Sequence, residues 1–234
     1  VINTVTKWRN GMVFKSILVL ITAYLVGSIP VGWIIVKLFK GADVRTLGSG
    51  RVGGTNVMRA AGLGAGLLTA CADAGKGILA GFIASVAMPG SLWLKIFAVI
   101  LAVVGQIFSV FLIEKGENGR LKLRGGAGGS TTLGGAIALV PYSWMIILPL
   151  ILLVYIGIGY ASVTTISIAF FSLILFGYQA AAGLGPWEFV FYGASTLVIV
   201  LYALRPNLKR LAEGTERAVG LRAYFEKKMG QPRS

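Results

Sequence analysis

The chain has 234 residues, of which 56% are hydrophobic and 13% charged, with 33 glycines and a formal net charge of +14. Its mean hydropathy of +0.82 excludes an ordinary soluble domain, a disordered chain and a disulfide scaffold. Cys71 is the single cysteine, so no intrachain disulfide forms. The sequence has no histidine, which excludes an imidazole base or a histidine metal ligand. Neither a metal nor a cofactor is expected.

Apolar runs of about 20 residues predict membrane-embedded helices. In chain order they cover 14–38, 64–87, 92–113, 130–140, 143–158, 162–182 and 187–204. The run from residue 16 continues past Pro30 to Phe39, long enough to span and unlike a cleavable signal. Lys7, Arg9 and Lys15 precede or open it, so the start is expected to lie on the membrane surface with Trp8 as an anchor. The stretch 130–158 reads as one long helix or as two short ones broken near Pro141. Charge decides. Basic residues cluster at 37–59, 115–124 and 205–233, and two segments put all three clusters on one side, as the positive-inside rule requires.

The expected fold is therefore an all-α integral membrane protein of about seven transmembrane or re-entrant helices, with 130–140 short. The N-terminus is expected outside and the basic loops and tail in the cytoplasm. The chain reads as a single domain over 1–234, with a membrane core over 14–204 and a basic tail over 205–234. The tail is expected to be an amphipathic helix carrying Leu208 and Leu211, followed by a frayed end. No nucleic-acid motif accompanies the charge.

Three polar clusters interrupt this pattern. The first, 43–59, mixes Gly48, Gly50, Gly53 and Gly54 with Ser49, Thr55, Asn56, Arg45, Arg51 and Arg59. Flexible glycines, hydroxyls and guanidinium forks suit an anion cradle, or equally a basic loop on anionic lipid. The second is Asp73 with Lys76, on one helical face of an apolar stretch. Charges there are costly unless they pair or face a cavity. The third, Arg124 to Thr132, opens a short helix and suits an oxyanion, or a hinge capped by Ser130 or Thr131. Trp33, Trp93, Trp144 and Trp187 read as interface anchors and Cys71 as packing.

These words, in this order, resemble the bacterial acyl-phosphate:glycerol-3-phosphate acyltransferases, the PlsY family. The match runs through Gly27-Ser-Ile-Pro-Val-Gly32, Gly48-Ser-Gly-Arg-Val-Gly-Gly-Thr-Asn-Val-Met-Arg59, Asp73-Ala-Gly-Lys-Gly77, Gly105-Gln-Ile-Phe-Ser-Val-Phe111, the glycine run 125–129 and Asn207 to Glu216. The resemblance implies a seven-helix protein of the bacterial cytoplasmic membrane whose site opens to the cytoplasm. It also implies transfer of an acyl group from acyl phosphate to the 1-hydroxyl of glycerol 3-phosphate, giving lysophosphatidic acid. Substrate or phosphate binding would fall to Ser28, Arg45, Ser49, Thr55, Asn56, Arg59, Lys76, Gly126, Gly128, Ser162 and Arg210, with Ser49 and Asn207 nearest the chemistry.

The chain departs from the family pattern where chemistry is expected. Gln106 and Leu204 stand at histidine positions, Ala127 at a lysine, Ser109 at a proline and Arg51 at an asparagine. Alanine and leucine cannot donate, accept or carry charge. Arg124 or Lys122 is expected to stand in for the lysine, and nothing obvious replaces the histidine. The segment 114–124 also looks longer than the family's loop. The sequence thus favours a catalytically degenerate relative acting as a subunit or lipid-binding element of a larger membrane assembly. An active acyltransferase is the alternative, and a transporter a distant third.

Overall fold

The computed structural model describes residues 2–115 and 119–230, and the chain over them is mostly helical. Helices α1 (Ile2–Ser28) and α2 (Val31–Lys40) are separated by Ile29 and Pro30. Proline has no N–H to continue the ladder, so the helix breaks there. Asn10–Lys40 is nonetheless one apolar run of 31 residues, about 46 Å at ~1.5 Å per residue, which exceeds a hydrocarbon core of ~30 Å. The segment before residue 14 is helix continuous with α1 from Ile2, since adding turns to an existing helix needs no new nucleus. The side chain of Trp8 lies outside the described residues.

A 3₁₀ turn (Val44–Thr46) and the short helix α3 (Gly54–Ala61) come from the first polar cluster. They are followed by α4 (Leu63–Ala87) and α5 (Leu92–Ile107). The stretch after α5 corrects the all-α expectation and the predicted segment 92–113. Strands β1 (Ser109–Lys115) and β2 (Leu121–Arg124) form an antiparallel pair with Ile113 opposite Leu123 and Glu114 opposite Lys122. A run of Val110, Phe111, Leu112 and Ile113 suits a strand as well as a helix. The Ser109 hydroxyl, which donates to the Ser28 carbonyl at 2.5 Å, fixes where the strand begins. Residues 116–118 of the long 114–124 segment lie outside the described residues.

The chain then forms α6 (Gly129–Leu139), α7 (Ser143–Gly157), α8 (Ala161–Ala181) and α9 (Glu188–Ala203). The two-helix reading of 130–158 is the one adopted, with the break at 140–142. The expected tail helix is α10 (Arg205–Ala212), which leaves α9 at 64°, and α11 (Gly220–Lys228) follows in place of the expected frayed end. The tail is pinned back because the Val219 amide donates to the Gly159 carbonyl at 2.8 Å and Ala218 bridges to Tyr160.

Among the described residues, three helical spans are long and apolar enough to cross a membrane, Asn10–Lys40, α4 and α8, or four if α9 and α10 form one bent span. The apolar α5 and α7 are shorter. The main core joins α5 to α9 around Ile96, Val99, Ile147, Phe176 and Tyr192, while α1 and α4 pack on the other side of α5 through Ala23, Ala80 and Ala98. Phe14, Leu18, Phe82, Leu153, Ile174 and Val198 point outward and are more than half exposed, as a surface facing hydrocarbon requires. Between helices, small residues allow backbone contact. A Cβ on Gly27 would collide with the Ala102 carbonyl, and one on Gly105 with that of Tyr24.

Candidate functional site

Three segments far apart in sequence meet at one end of the bundle: 48–59 with α3, the turn 125–130 into α6, and the tail 204–217. Together with α4, α7 and α8 they wall a cavity of about 650 Å³. This is the convergence that the sequence alone could not show.

Two helix N-termini meet there. Gly53, Gly54 and Thr55 at the start of α3 and Gly129 and Ser130 at the start of α6 line the cavity, and no side chain caps either first turn. The first amides of a helix have no intrahelical acceptor, so both ends suit an oxyanion. Gly128 sets up the α6 start by taking φ +85°, a conformation costly for any residue with a Cβ. Neither Ser130 nor Thr131 is the cap. The Thr131 hydroxyl donates to the Asp73 carbonyl at 2.9 Å instead.

Four arginines, Arg51, Arg59, Arg210 and Arg217, line the same space against one carboxylate, Glu216. Glu216 accepts from Asn207 Nδ2 at 2.9 Å and Arg210 Nε at 3.2 Å. Arg59 donates to the Ala218 carbonyl at 3.2 Å, holding the tail across the opening. Arg51 spans the site. Its Nη1 donates to Gly126 O at 3.2 Å, and its Nη2 to Ala203 O at 2.6 Å and Asn207 Oδ1 at 3.2 Å. Burial first, then the charge of Arg210, lowers the pKa of Arg51, and burial first, then Arg217, lowers that of Arg59. A bound anion would relieve both penalties.

The rest of the wall is apolar, with Leu63, Leu67 and Ala70 from α4, Ile151 and Leu152 from α7, Ile168 from α8, and Leu204. Leu63, Leu67 and Leu152 are half or more exposed, so this side is open. Ser162, Thr164 and Thr165 complete the lining. Thr164 bonds back to the Tyr160 carbonyl, but the buried Ser162 hydroxyl has no partner among the described residues.

Of the residues singled out in the sequence, Ser49, Thr55, Asn56, Arg59, Ser162, Asn207 and Arg210 reach the cavity, as do Arg51, Ala127 and Leu204. The exposed Ser49 donates through its amide to Asn56 Oδ1 at 3.0 Å. Asn56 Nδ2 faces the carbonyls of Val44, Leu47 and Arg51, so this amide brackets the glycine loop from inside. Arg217 and Tyr155 went unremarked in sequence. Arg217 directly follows Glu216, but only the fold-back of the tail brings it beside Gly48.

Ser28, Arg45, Lys76, Gly126 and Gly128 are not part of the cavity wall. The Ser28 hydroxyl donates to the Tyr24 carbonyl. Arg45 is held by Asp43 at 2.6 Å and Glu114 at 3.0 Å. Gly126 hydrogen-bonds through its backbone to Gln106 and Arg51. Lys76 is buried against Asp73 Oδ1 at 2.8 Å and Gln106 Oε1 at 2.6 Å, and also donates to the Ile29 carbonyl. The glutamine closes this network by donating from Nε2 to Asp73 Oδ2 at 2.7 Å. One donor and one acceptor are what a neutral imidazole would offer, so Gln106 is satisfied in the same network. The expected stand-ins for the missing lysine lie outside the cavity wall. Arg124 Nε pairs with Glu114 at 2.8 Å, and neither Arg124 nor Lys122 lines the cavity. Cys71 is exposed on α4 and is not core packing.

The Asp43–Arg45–Glu114–Arg124 cluster ties the glycine loop to the hairpin. The Arg45 guanidinium holds the Asp43 carboxyl well below its ordinary 3.8. A depressed folded-state pKa contributes stability that is present above the unfolded value and lost as pH falls through the folded one. Amide hydrogen exchange at 44–51, corrected for intrinsic rates, is therefore expected to stay flat from pH 7 to about 4 and to rise only in stronger acid. Opening already at pH 5.5 would mean that another group holds the loop.

The fold and site define a class: a helical membrane protein with a cationic, amide-rich pocket under an apolar wall. The chain matches the glycerol-3-phosphate acyltransferase family model over residues 17–214 and belongs to that family. It is 35% identical to glycerol-3-phosphate acyltransferase 2 of Moorella thermoacetica over 88% of this chain and 99% of that one. It is 37% identical to a glycerol-3-phosphate acyltransferase of Thermus thermophilus over 87% and 95%. The crystal structure of PlsY (YgiH), an integral membrane glycerol 3-phosphate acyltransferase, in its glycerol 3-phosphate form superposes with a TM-score of 0.74 at 30% identity. That match covers 88% of this chain and 96% of that one. The lysophosphatidic acid form gives the same TM-score at 31% identity. The chain is thus an integral membrane protein of mostly helical fold.

Proposed function

We propose that the protein is an active acyltransferase that moves a fatty acyl group from acyl phosphate to glycerol 3-phosphate, making lysophosphatidic acid for phospholipid synthesis. One observation carries this reading: two uncapped helix N-termini and four arginines face a single cavity whose opposite wall is apolar. Two phosphate-bearing substrates need the first half and an acyl chain needs the second. In the reaction the 1-hydroxyl oxygen bonds to the acyl carbon, the bond from that carbon to the phosphate oxygen breaks, and the hydroxyl proton leaves with inorganic phosphate. With no histidine in the chain, the departing phosphate is itself the natural proton acceptor. The protein's part is positioning, together with donors aimed at the developing oxyanion.

Seven embedded segments suit this activity: α1 with α2, then α4 to α9, with the 11-residue α6 re-entrant inside protein. The N-terminus then lies outside, and the site faces the cytoplasm of a bacterial inner membrane. The non-catalytic reading rested on substituted positions. With Gln106 satisfied in its own network, only Ala127 and Leu204 are left to support it. The test is transfer from palmitoyl phosphate to labelled glycerol 3-phosphate with the protein in nanodiscs. Labelled lysophosphatidic acid is expected. No product from folded protein, together with retention in a larger native complex, would restore the non-catalytic reading.

A further inference from the structure

The charge of Arg51 has no carboxylate partner among the described residues. Its three hydrogen bonds go to two backbone carbonyls and one amide oxygen, whereas Arg210 is paired with Glu216. Arg51 is also set deeper than Arg59, which is exposed. A partly buried cation with no carboxylate in direct contact is costly, and the Glu216 charge that acts on it is already paired with Arg210, so the natural occupant beside it is an anion. Of the five N–H donors of a guanidinium, three are committed, one on Nη1 and two on Nη2. That leaves Nε–H and one N–H of Nη1, and the residue lines the cavity. The committed ones fix the plane of the fork by fastening it to Gly126 O and Ala203 O. The residues that follow those carbonyls, Ala127 and Leu204, line the same wall and offer no polar atom. One side chain from the first glycine loop thus brings charge and donors to the wall beside two apolar side chains.

We infer that Arg51 is a phosphoryl-binding residue of this chain, its fixed guanidinium offering its charge and a free N–H to a substrate phosphoryl group between the α6 start and the α9–α10 junction. This rests on the acyltransferase reading for the identity of the substrate, but not for the anion site. A lysine would keep the charge, but the three donors of an ammonium would all be needed for the three acceptors, leaving none for a phosphoryl group.

The test separates the two ideas. Binding of inorganic phosphate and of glycerol 3-phosphate is measured by calorimetry on the detergent-purified protein, and the KM for palmitoyl phosphate in nanodiscs. The variants are Arg51→Asn, Arg51→Lys and a triple variant, Arg51→Asn with Ala127→Lys and Leu204→His. Arg51→Asn is expected to weaken binding of at least one phosphate-bearing ligand by 10-fold or more, with cooperative unfolding retained. Loss confined to the palmitoyl phosphate KM would assign the fork to the donor, and loss of glycerol 3-phosphate affinity to the acceptor. The triple variant is expected to recover binding, and Arg51→Lys to fall between. Binding and KM within threefold of the unmodified protein in Arg51→Asn would overturn the inference. So would loss of cooperative unfolding in all three variants, which would make Arg51 a structural tie. An unmodified protein that binds phosphate through Arg51 yet makes no product would sink the acyltransferase reading and leave the inference standing.

Discussion

Lys76→Met is expected to destabilise the protein by about 3–5 kcal/mol, the cost of leaving a buried charge without its partner. Asp73 and Lys76 are 2% and 5% exposed, so the carboxylate left behind is buried. The pair also joins four elements. Lys76 reaches the Ile29 carbonyl where Pro30 breaks the first span, Gln106 binds both ions from α5, and Thr131 on α6 donates to the Asp73 carbonyl. The unfolding midpoint in detergent should fall by on the order of 10 °C. Removing both charges, as Asp73→Asn with Lys76→Met, should recover part of the loss, because the double change strands no ion. A single variant as stable as the unmodified protein would show that the pair is solvated and not buried.

Gly134→Val is the second large effect. At the α4–α6 crossing the two backbones touch: a Cβ on Gly134 would fall within contact distance of the Ala74 carbonyl oxygen, and one on Gly77 would lie 2.5 Å from the Gly135 nitrogen. Neither obstacle is a flexible side chain that can swing away, so α6 itself must move. The first turn of α6 lines the cavity. A shift of about 1 Å there is expected to lower acyl transfer on the order of 100-fold, with a stability loss of about 1–3 kcal/mol from overpacking. Gly75→Ala is the matched control, because nothing lies within 4 Å of a Cβ at that position. Equal activity in Gly134→Val and Gly75→Ala would mean that α6 does not set the site geometry.

Hydropathy alone located α4, α8 and α9 to within about a residue, because a run that must replace water with hydrocarbon declares itself by composition. It also found the break between α6 and α7, through the charge parity of loops that the structure brings together at one end. The hairpin was not legible. Val110 to Ile113 satisfies a helix or a strand locally, and only pairing with Leu121 to Arg124 decides between them. Site residues divided along the same line. The glycine loop and the α6 start look like anion cradles in sequence because their residue types are those of a cradle. Arg45 and Lys76 look no different, yet a long-range partner, Glu114 or Gln106, takes each of them out of the cavity. Arg51 is the converse case. In sequence it is a departure from pattern, and only contacts across 75 and 152 residues give it a place in the site.

The tail that closes the opening has a consequence for biosynthesis. The cavity draws on residues from Gly48 to Arg217, and the strap from Gly159 to Val219 forms later still. A nascent chain threaded only as far as α9 already has all its apolar spans but lacks Arg210, Glu216 and Arg217, and its glycine loop has no tail to hold. On the acyltransferase reading, competence to bind substrate would therefore arrive after the protein is anchored in its membrane. A ribosome-stalled intermediate ending near residue 203 should be fully inserted and silent.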